Sequence, residues 1–154
     1  MTRIYLFDWG DTLMVDFPYY QGPMCQWPDV QVVQGALEAL QHLSLNASIY
    51  IATNAEDSSL EEIKQAFTRG GLAPFITGYF SKVNVGIAKG TPDYFQRIAA
   101  QLDVQPHEIT MVGDTLEKDI KPAIAAGLQA VWYQPFGEND DEQYHKISSL
   151  EELY

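Results

Sequence analysis

Apolar and polar positions along this chain follow two alternating periodicities. Ile4 to Phe7 is a short apolar run ending at Asp8, the pattern of a buried strand. From Val32 to Leu45 the apolar residues Val32, Val33, Ala36, Leu37, Leu40 and Leu43 keep the spacing of one helix face. Ser48 to Ala52 predicts a second strand, and Ser58 to Phe67 a helix stopped by Gly70 and Gly71. Phe75 to Phe80 predicts a short strand. Thr91 and Pro92 open a helix that runs to about Leu102, with Thr91 as N-cap, Pro92 at the first helical position and Asp93 near the positive end of the dipole. Ile109 to Val112 is a third clear strand, running into Gly113 and Asp114. Asp119 to Ala126 reads as a helix ending at Gly127, with Pro122 in its first turn, where a missing donor costs little. Ala130 to Tyr133 predicts a further strand, and Leu150 to Tyr154 a terminal helical turn.

Strands alternating with helices predict an α/β fold, a parallel sheet with helices on both faces. In such a sheet, sites form at the carboxyl ends of the strands. Asp8, Thr53 and Asp114 all sit at or just after such ends, so three polar residues distant in sequence are expected to converge on one edge. The 154 residues suit a single domain over 1–154, and 46% hydrophobic content with 19% charge is ordinary for a globular chain. No apolar run approaches the roughly 18 residues of a membrane span, and no export signal is visible, so neither a membrane nor a secreted setting is expected. The single cysteine, Cys25, cannot form an internal disulfide. It is expected to be a packing residue in a reducing cytoplasm.

Charge narrows the chemistry. The formal net charge is -12, and the 9 Lys and Arg are scattered, so nucleic acid is not an expected partner. The same acidity repels anionic substrates at long range. A phosphoester substrate would therefore need local positive charge, for which a divalent cation is the obvious candidate. Asp8 and Asp114 can share magnesium, which takes one or two carboxylates plus waters and phosphate oxygens. Thr53 can hydrogen-bond a transferring group, and Lys89 can neutralise charge on it. Taken singly, each Asp is as readily a turn residue or helix cap (Asp119 most simply an N-cap) and Lys89 a solvated lysine. Their joint order along the chain is what singles them out. His42, His107 and His145 have no metal-ligand spacing.

Four segments carry a resemblance: IYLFDWGDTL around Asp8, IYIATNA ending at Thr53 and Asn54, VGIAKGTPDYF around Lys89, and MVGDTLEKDIKPAIAAGLQAVW from Met111. In this order they resemble the haloacid dehalogenase superfamily of aspartate-nucleophile hydrolases, from Ile4 to about Pro135. The resemblance implies a Rossmann-like fold with Asp8 as nucleophile, passing through an aspartyl intermediate. It implies magnesium held by Asp8, the backbone carbonyl of Gly10 and Asp114. Asp119 would support the metal's waters or orient Lys89, and Thr53, Asn54 and Lys89 would bind the transferring group. The leading expectation is a magnesium-dependent phosphatase acting on a small phosphorylated molecule, as a monomer or homodimer.

Two departures shape that expectation. Phosphatases of this family usually carry a second Asp, the general acid and base, two residues after the nucleophile. Here that position is Gly10, with Asp11 and Asp16 as candidate replacements, and Gly10→Asp is expected to raise activity if Gly10 occupies the usual position. The substitution also keeps open a catalytically weak magnesium- and phosphate-binding module, or dehalogenase- or phosphonatase-type chemistry. A two-component receiver domain fits poorly, because its phosphorylated Asp lies mid-chain. Second, there are only 18 residues between Leu13 and Val32 and 34 between Asn54 and Lys89, so no cap domain is expected. Residues 14–31, with the aromatic segment Phe17 to Pro28, read equally as a short substrate lid and as a loop packed on the domain.

Overall fold

A computed structural model of the chain describes residues 3–55, 58–137 and 143–154. Six strands, β1 (Arg3–Phe7), β2 (Ala47–Ala52), β3 (Gly78–Phe80), β4 (Ile109–Gly113), β5 (Gln129–Tyr133) and β6 (Lys146–Ile147), form one sheet in the order β3-β2-β1-β4-β5-β6. Every pairing is parallel. The helices are α1 (Ala36–Leu43), α2 (Leu60–Arg69), α3 (Lys82–Val85), α4 (Pro92–Leu102) and α5 (Lys121–Ala125).

Alternation along β1 explains the layering. Tyr5 and Phe7 point into a core with Leu40 of α1 and Ile63 and Phe67 of α2. Ile4 and Leu6 point the other way, into a core with Tyr94, Phe95 and Ile98 of α4 and Ala123 of α5. Both faces are covered, so β1 reads as an uninterrupted apolar run rather than an alternating one. This is the expected Rossmann-like α/β sheet. Among the described residues, the connections from β1 to α1 and from β2 to α4 hold no inserted cap domain.

The chain leaves β1 toward β2 and β3, then returns to place β4 on the opposite side of β1. The strand order thus reverses between β1 and β4. A crevice opens outside the carboxyl ends of strands at such a switch point. Asp8 follows β1 and Asp114 follows β4, one on each side of it.

Several elements differ from the sequence pattern. The strand expected from Phe75 begins only at Gly78, after a 3₁₀ turn over Ala73–Phe75. The helix expected from Val32 begins only at Ala36, because Gly35 is left-handed (φ 84°) and Val32 forms an antiparallel bridge with Met14. The helix expected from Asp119 is preceded by a π-helical turn over Leu116–Ile120, and α5 begins at Lys121. Asp119 therefore lies inside a turn and is not a cap. Thr91 takes the N-cap position of α4, but its side chain makes no capping hydrogen bond. No described helix is long and apolar enough to cross a membrane.

Candidate active site

Asp8 sits where β1 runs out of sheet, its N–H still donating to the carbonyl of Val112 (2.9 Å). Its side chain is buried, and Lys89 Nζ lies 2.7 Å from Oδ1. Lys89 is also buried. It reaches Asp119 Oδ1 at 2.8 Å and donates to the carbonyl of Ala52 at 3.1 Å. Burial opposes ionisation of Asp8, yet the charge and hydrogen bond of Lys89 hold its carboxyl below the ordinary carboxylate range. Burial likewise disfavours the Lys89 charge, but Asp8 and Asp119 outweigh it and raise the ammonium above its usual value.

Several contacts fix this group. Asn54 grips the Lys89 backbone from both ends of its amide: Nδ2 donates to the Lys89 carbonyl (2.8 Å) and Oδ1 accepts the Lys89 N–H (2.6 Å). Asn54 therefore positions Lys89, and one amide hydrogen remains for a ligand. Thr53 is buried and its Oγ1 accepts the Ala55 N–H (3.1 Å), which leaves its hydroxyl proton to donate. Asp119 Oδ2 accepts the Thr115 N–H at 3.1 Å. The π-helical turn makes this possible: its wider loop turns Asp119 back under the site, a common use of such turns. Sequence reasoning gave no role to Thr12. It is fully buried, with Oγ1 3.2 Å from Asp8 Oδ2 and 3.4 Å from Asp114 Oδ1. Its place four residues after Asp8 was the only signal.

Gly113 is shaped by Asp119. A Cβ there would stand 2.6 Å from Asp119 Cγ, and closer still to Oδ2. Gly113→Ala is accordingly expected to cost about 1–3 kcal/mol, the scale of overpacking, as read from the urea midpoint. An unchanged midpoint would mean that Asp119 is free to move.

Carboxylate oxygens of Asp8, Asp114 and Asp119 lie within 4.8 Å of one another. Among the described residues, Lys89 is the one cation paired to them. Burial, and then Asp8, push Asp114 up to about 8; burial and Asp8 push Asp119 up to about 6 against the pull of Lys89. Three crowded carboxylates, two of them raised, are a donor set that calls for another cation. All-oxygen donors suit magnesium.

Asp8, Asp114, Asp119, Lys89, Thr53 and Asn54 line one cavity of about 530 Å³. Gly22, Met24 and Trp27 close one side of it. Their segment is both packed and cavity-facing. Phe17, Tyr19, Tyr20 and Trp27 form an aromatic cluster, and Arg69 of α2 donates to the carbonyls of Trp27 (2.6 Å), Cys25 and Pro28. Cys25 is half-buried within it.

The Gly10 turn completes the site. Asp11 is left-handed (φ 61°), and its Oδ1 accepts the Asp16 N–H at 3.0 Å. Asp16 is raised by partial burial and then by the charges of Asp11 and Asp8.

The model of a family described as haloacid dehalogenase-like hydrolase matches residues 12–127. The chain is 28% identical over 129 residues to YfnB of Bacillus subtilis, a HAD-hydrolase by name, covering 80% of this chain and 53% of that protein. A crystal structure of YfnB bound to magnesium superposes with a TM-score of 0.78 at 18% identity, over 99% of this chain and 97% of that one. The chain is 29% identical over 133 residues to ribulose-1,5-bisphosphate 5-phosphatase of Halopiger xanaduensis, covering 85% of this chain and 53% of that enzyme. An uncharacterized protein from Listeria monocytogenes serotype 4b superposes with a TM-score of 0.84 at 25% identity, over 99% of this chain and 94% of that one. The chain thus spans about half the length of the curated relatives it matches.

Proposed function

Because the chain belongs to the haloacid dehalogenase-like hydrolases, we propose that it is a magnesium-dependent phosphatase that attacks a small phosphoester with Asp8. The observation that carries this is the buried Asp8–Lys89–Asp119 arrangement beside Asp114, at the point where the strand order reverses. The phosphatase name of a relative such as the Halopiger enzyme supports the substrate class.

Asp8 is held ionised by Lys89 and so is ready as a nucleophile. Its attack breaks the bond to the leaving oxygen and gives an aspartyl phosphate, which water then hydrolyses. Thr53 and Lys89 donate to the transferring group, and Asn54 fixes the Lys89 backbone. Asp8, Asp114 and the Gly10 carbonyl would hold magnesium, with Asp119 in support. The metal supplies charge neutralisation for the phosphoryl oxygens. Phosphoryl transfer needs little beyond such positioning and neutralisation. The segment 14–31 acts as a lid that selects the organic part of the substrate. The substrate is a small phosphorylated metabolite, and the protein works as a cytoplasmic monomer or homodimer in a single domain.

Hydrolysis of p-nitrophenyl phosphate with magnesium, against the same assay with chelator, tests the reading. Magnesium-dependent release is expected; no release at saturating magnesium would overturn it.

Metal binding has a readout apart from turnover. A carboxyl whose folded pKa lies above its unfolded value adds stability below the unfolded value, and that stability is lost as pH rises through the folded one. For Asp114 this window runs from about 4 to about 8. The metal-free protein should therefore lose stability from pH 5 to pH 8. Magnesium should raise Tm more at pH 8, where Asp114 is ready to ligate. An equal Tm gain at both pH values would argue that Asp114 is not a ligand.

A further inference from the structure

An alkoxide leaves poorly unless it is protonated, and water attacks an aspartyl phosphate poorly unless a base takes its proton. Asp8, Thr53 and Lys89 supply neither function: Asp8 is the nucleophile, and Lys89 is locked between two carboxylates. The turn after Trp9 offers a carboxylate that does not touch this cluster. The Gly10 Cβ position has Asp16 Cβ at 3.3 Å, Asp16 Oδ2 at 3.4 Å and Asp16 Cγ at 3.6 Å. The Asp16 carboxylate thus fills the space into which a side chain at residue 10 would project. Gly10 and Asp16 line the same cavity as Asp8.

Sequence distance hides this arrangement, and the backbone explains it. Leu13 and Met14 N–H groups donate to the Trp9 carbonyl, and the Asp11 N–H donates to the Met14 carbonyl (2.7 Å). The chain therefore doubles back within a few residues. Asp11 then pins the return, its Oδ1 accepting the Asp16 N–H. That contact engages one carboxylate oxygen of Asp11 with the backbone; Asp11 and Asp16 both line the cavity, and it is Asp16 that stands against the Gly10 Cβ position. The turn ties only the N–H of Asp16; among the described residues its carboxylate takes no hydrogen bond or ion pair.

We propose that Asp16 is the general acid and base of this site, in place of a side chain at residue 10, and that Asp11 is its positioning residue. The assignment rests on the phosphatase reading above. As the Asp8 oxygen bonds to phosphorus and the bond to the leaving oxygen breaks, Asp16 passes its proton to that oxygen and an alcohol departs. Asp16, now a carboxylate, takes a proton from water as the water oxygen bonds to phosphorus. The bond to Asp8 breaks, phosphate is released, and Asp16 regains its acid form.

The assignment reverses the expectation for Gly10→Asp. Two carboxylates would compete for one space, so that variant alone gains nothing.

The test compares Asp16→Asn with wild type on two esters, glycerol phosphate and p-nitrophenyl phosphate, in magnesium. Nitrophenolate leaves without a proton and glycerol does not. For glycerol phosphate, kcat/KM is expected to fall about 100-fold or more, the scale of general acid help. For the aryl ester it should fall less than about tenfold, and a burst of nitrophenolate should precede slow turnover as the aspartyl phosphate accumulates. Turnover of glycerol phosphate should return when Gly10→Asp is combined with Asp16→Ala. Equal losses on both esters without a burst, in a variant with wild-type circular dichroism, would indicate a structural role and overturn the assignment alone. A wild-type protein that hydrolyses neither ester overturns the phosphatase reading, and this assignment falls with it.

Discussion

Asp8→Asn is expected to lower kcat on p-nitrophenyl phosphate by at least about 10⁴-fold, the scale on which removal of a nucleophile acts. The substitution keeps size and shape but replaces an anion by a neutral amide. The aryl ester needs no protonated leaving group, so the loss reports the attack itself. The protein should remain folded. Lys89 keeps its ion pair with Asp119 and its bond to the Ala52 carbonyl, so no buried charge is left alone. Thr12 can still donate to Asp114. Steady-state kinetics beside circular dichroism separate the two effects. Residual turnover within tenfold of wild type, in a folded variant, would remove Asp8 from the role of nucleophile and leave a carboxylate whose work is to hold Lys89.

The strands were legible in the sequence because burial on both faces writes itself as apolar runs: Ile4 to Phe7 and Ile109 to Val112 are β1 and β4 almost to the residue. The two-residue strand β6 and the one-turn helix α3 are too short to leave such a pattern. Val32 and Val33 kept helical spacing by coincidence, on the far side of a left-handed Gly35. Asp8, Thr53 and Asp114 converge as strand-end residues of a parallel sheet must. The Asp119 contact with Lys89 was implied by the family resemblance and not by the local pattern, which made Asp119 a helix cap, since the contact depends on a π-helical turn and on the missing side chain of Gly113. Asp16 was one of two candidates on its loop. Only the doubled-back turn, with Asp11 tied to the Asp16 N–H, separates the pair. By its aromatic, Pro-rich composition, the segment Phe17 to Pro28 fits a lid and a packed loop equally. Its aromatic cluster and the bonds from Arg69 show packing, while Met24 and Trp27 also face the cavity.

Lys89→Met is expected to cost about 3–5 kcal/mol of stability near neutral pH as well as turnover, the loss that follows when one partner of a buried ion pair is removed. Methionine fills much of the same volume, so the cost is electrostatic and not a cavity. It leaves Asp8 and Asp119 buried beside each other with no cation between them. Asp8 should then rise above its unfolded value, reversing the depression that Lys89 now imposes, and Asp119, already raised, should rise further. The sign of the pH dependence follows. Groups with raised folded pKa stabilise the variant while protonated and lose that contribution as pH rises through the folded value. The stability gap between wild type and Lys89→Met should therefore be smallest near pH 5 and widen toward pH 8, as read from urea midpoints in chelator. Magnesium should narrow the gap at pH 8, by restoring a cation to the cluster, without restoring turnover. Asp8 would still lack the partner that fixes its orientation, and the transferring group would lack a donor. A gap that stays constant with pH would mean that Lys89 stabilises the fold through its packed stem alone, and that the three carboxylates tolerate one another without it.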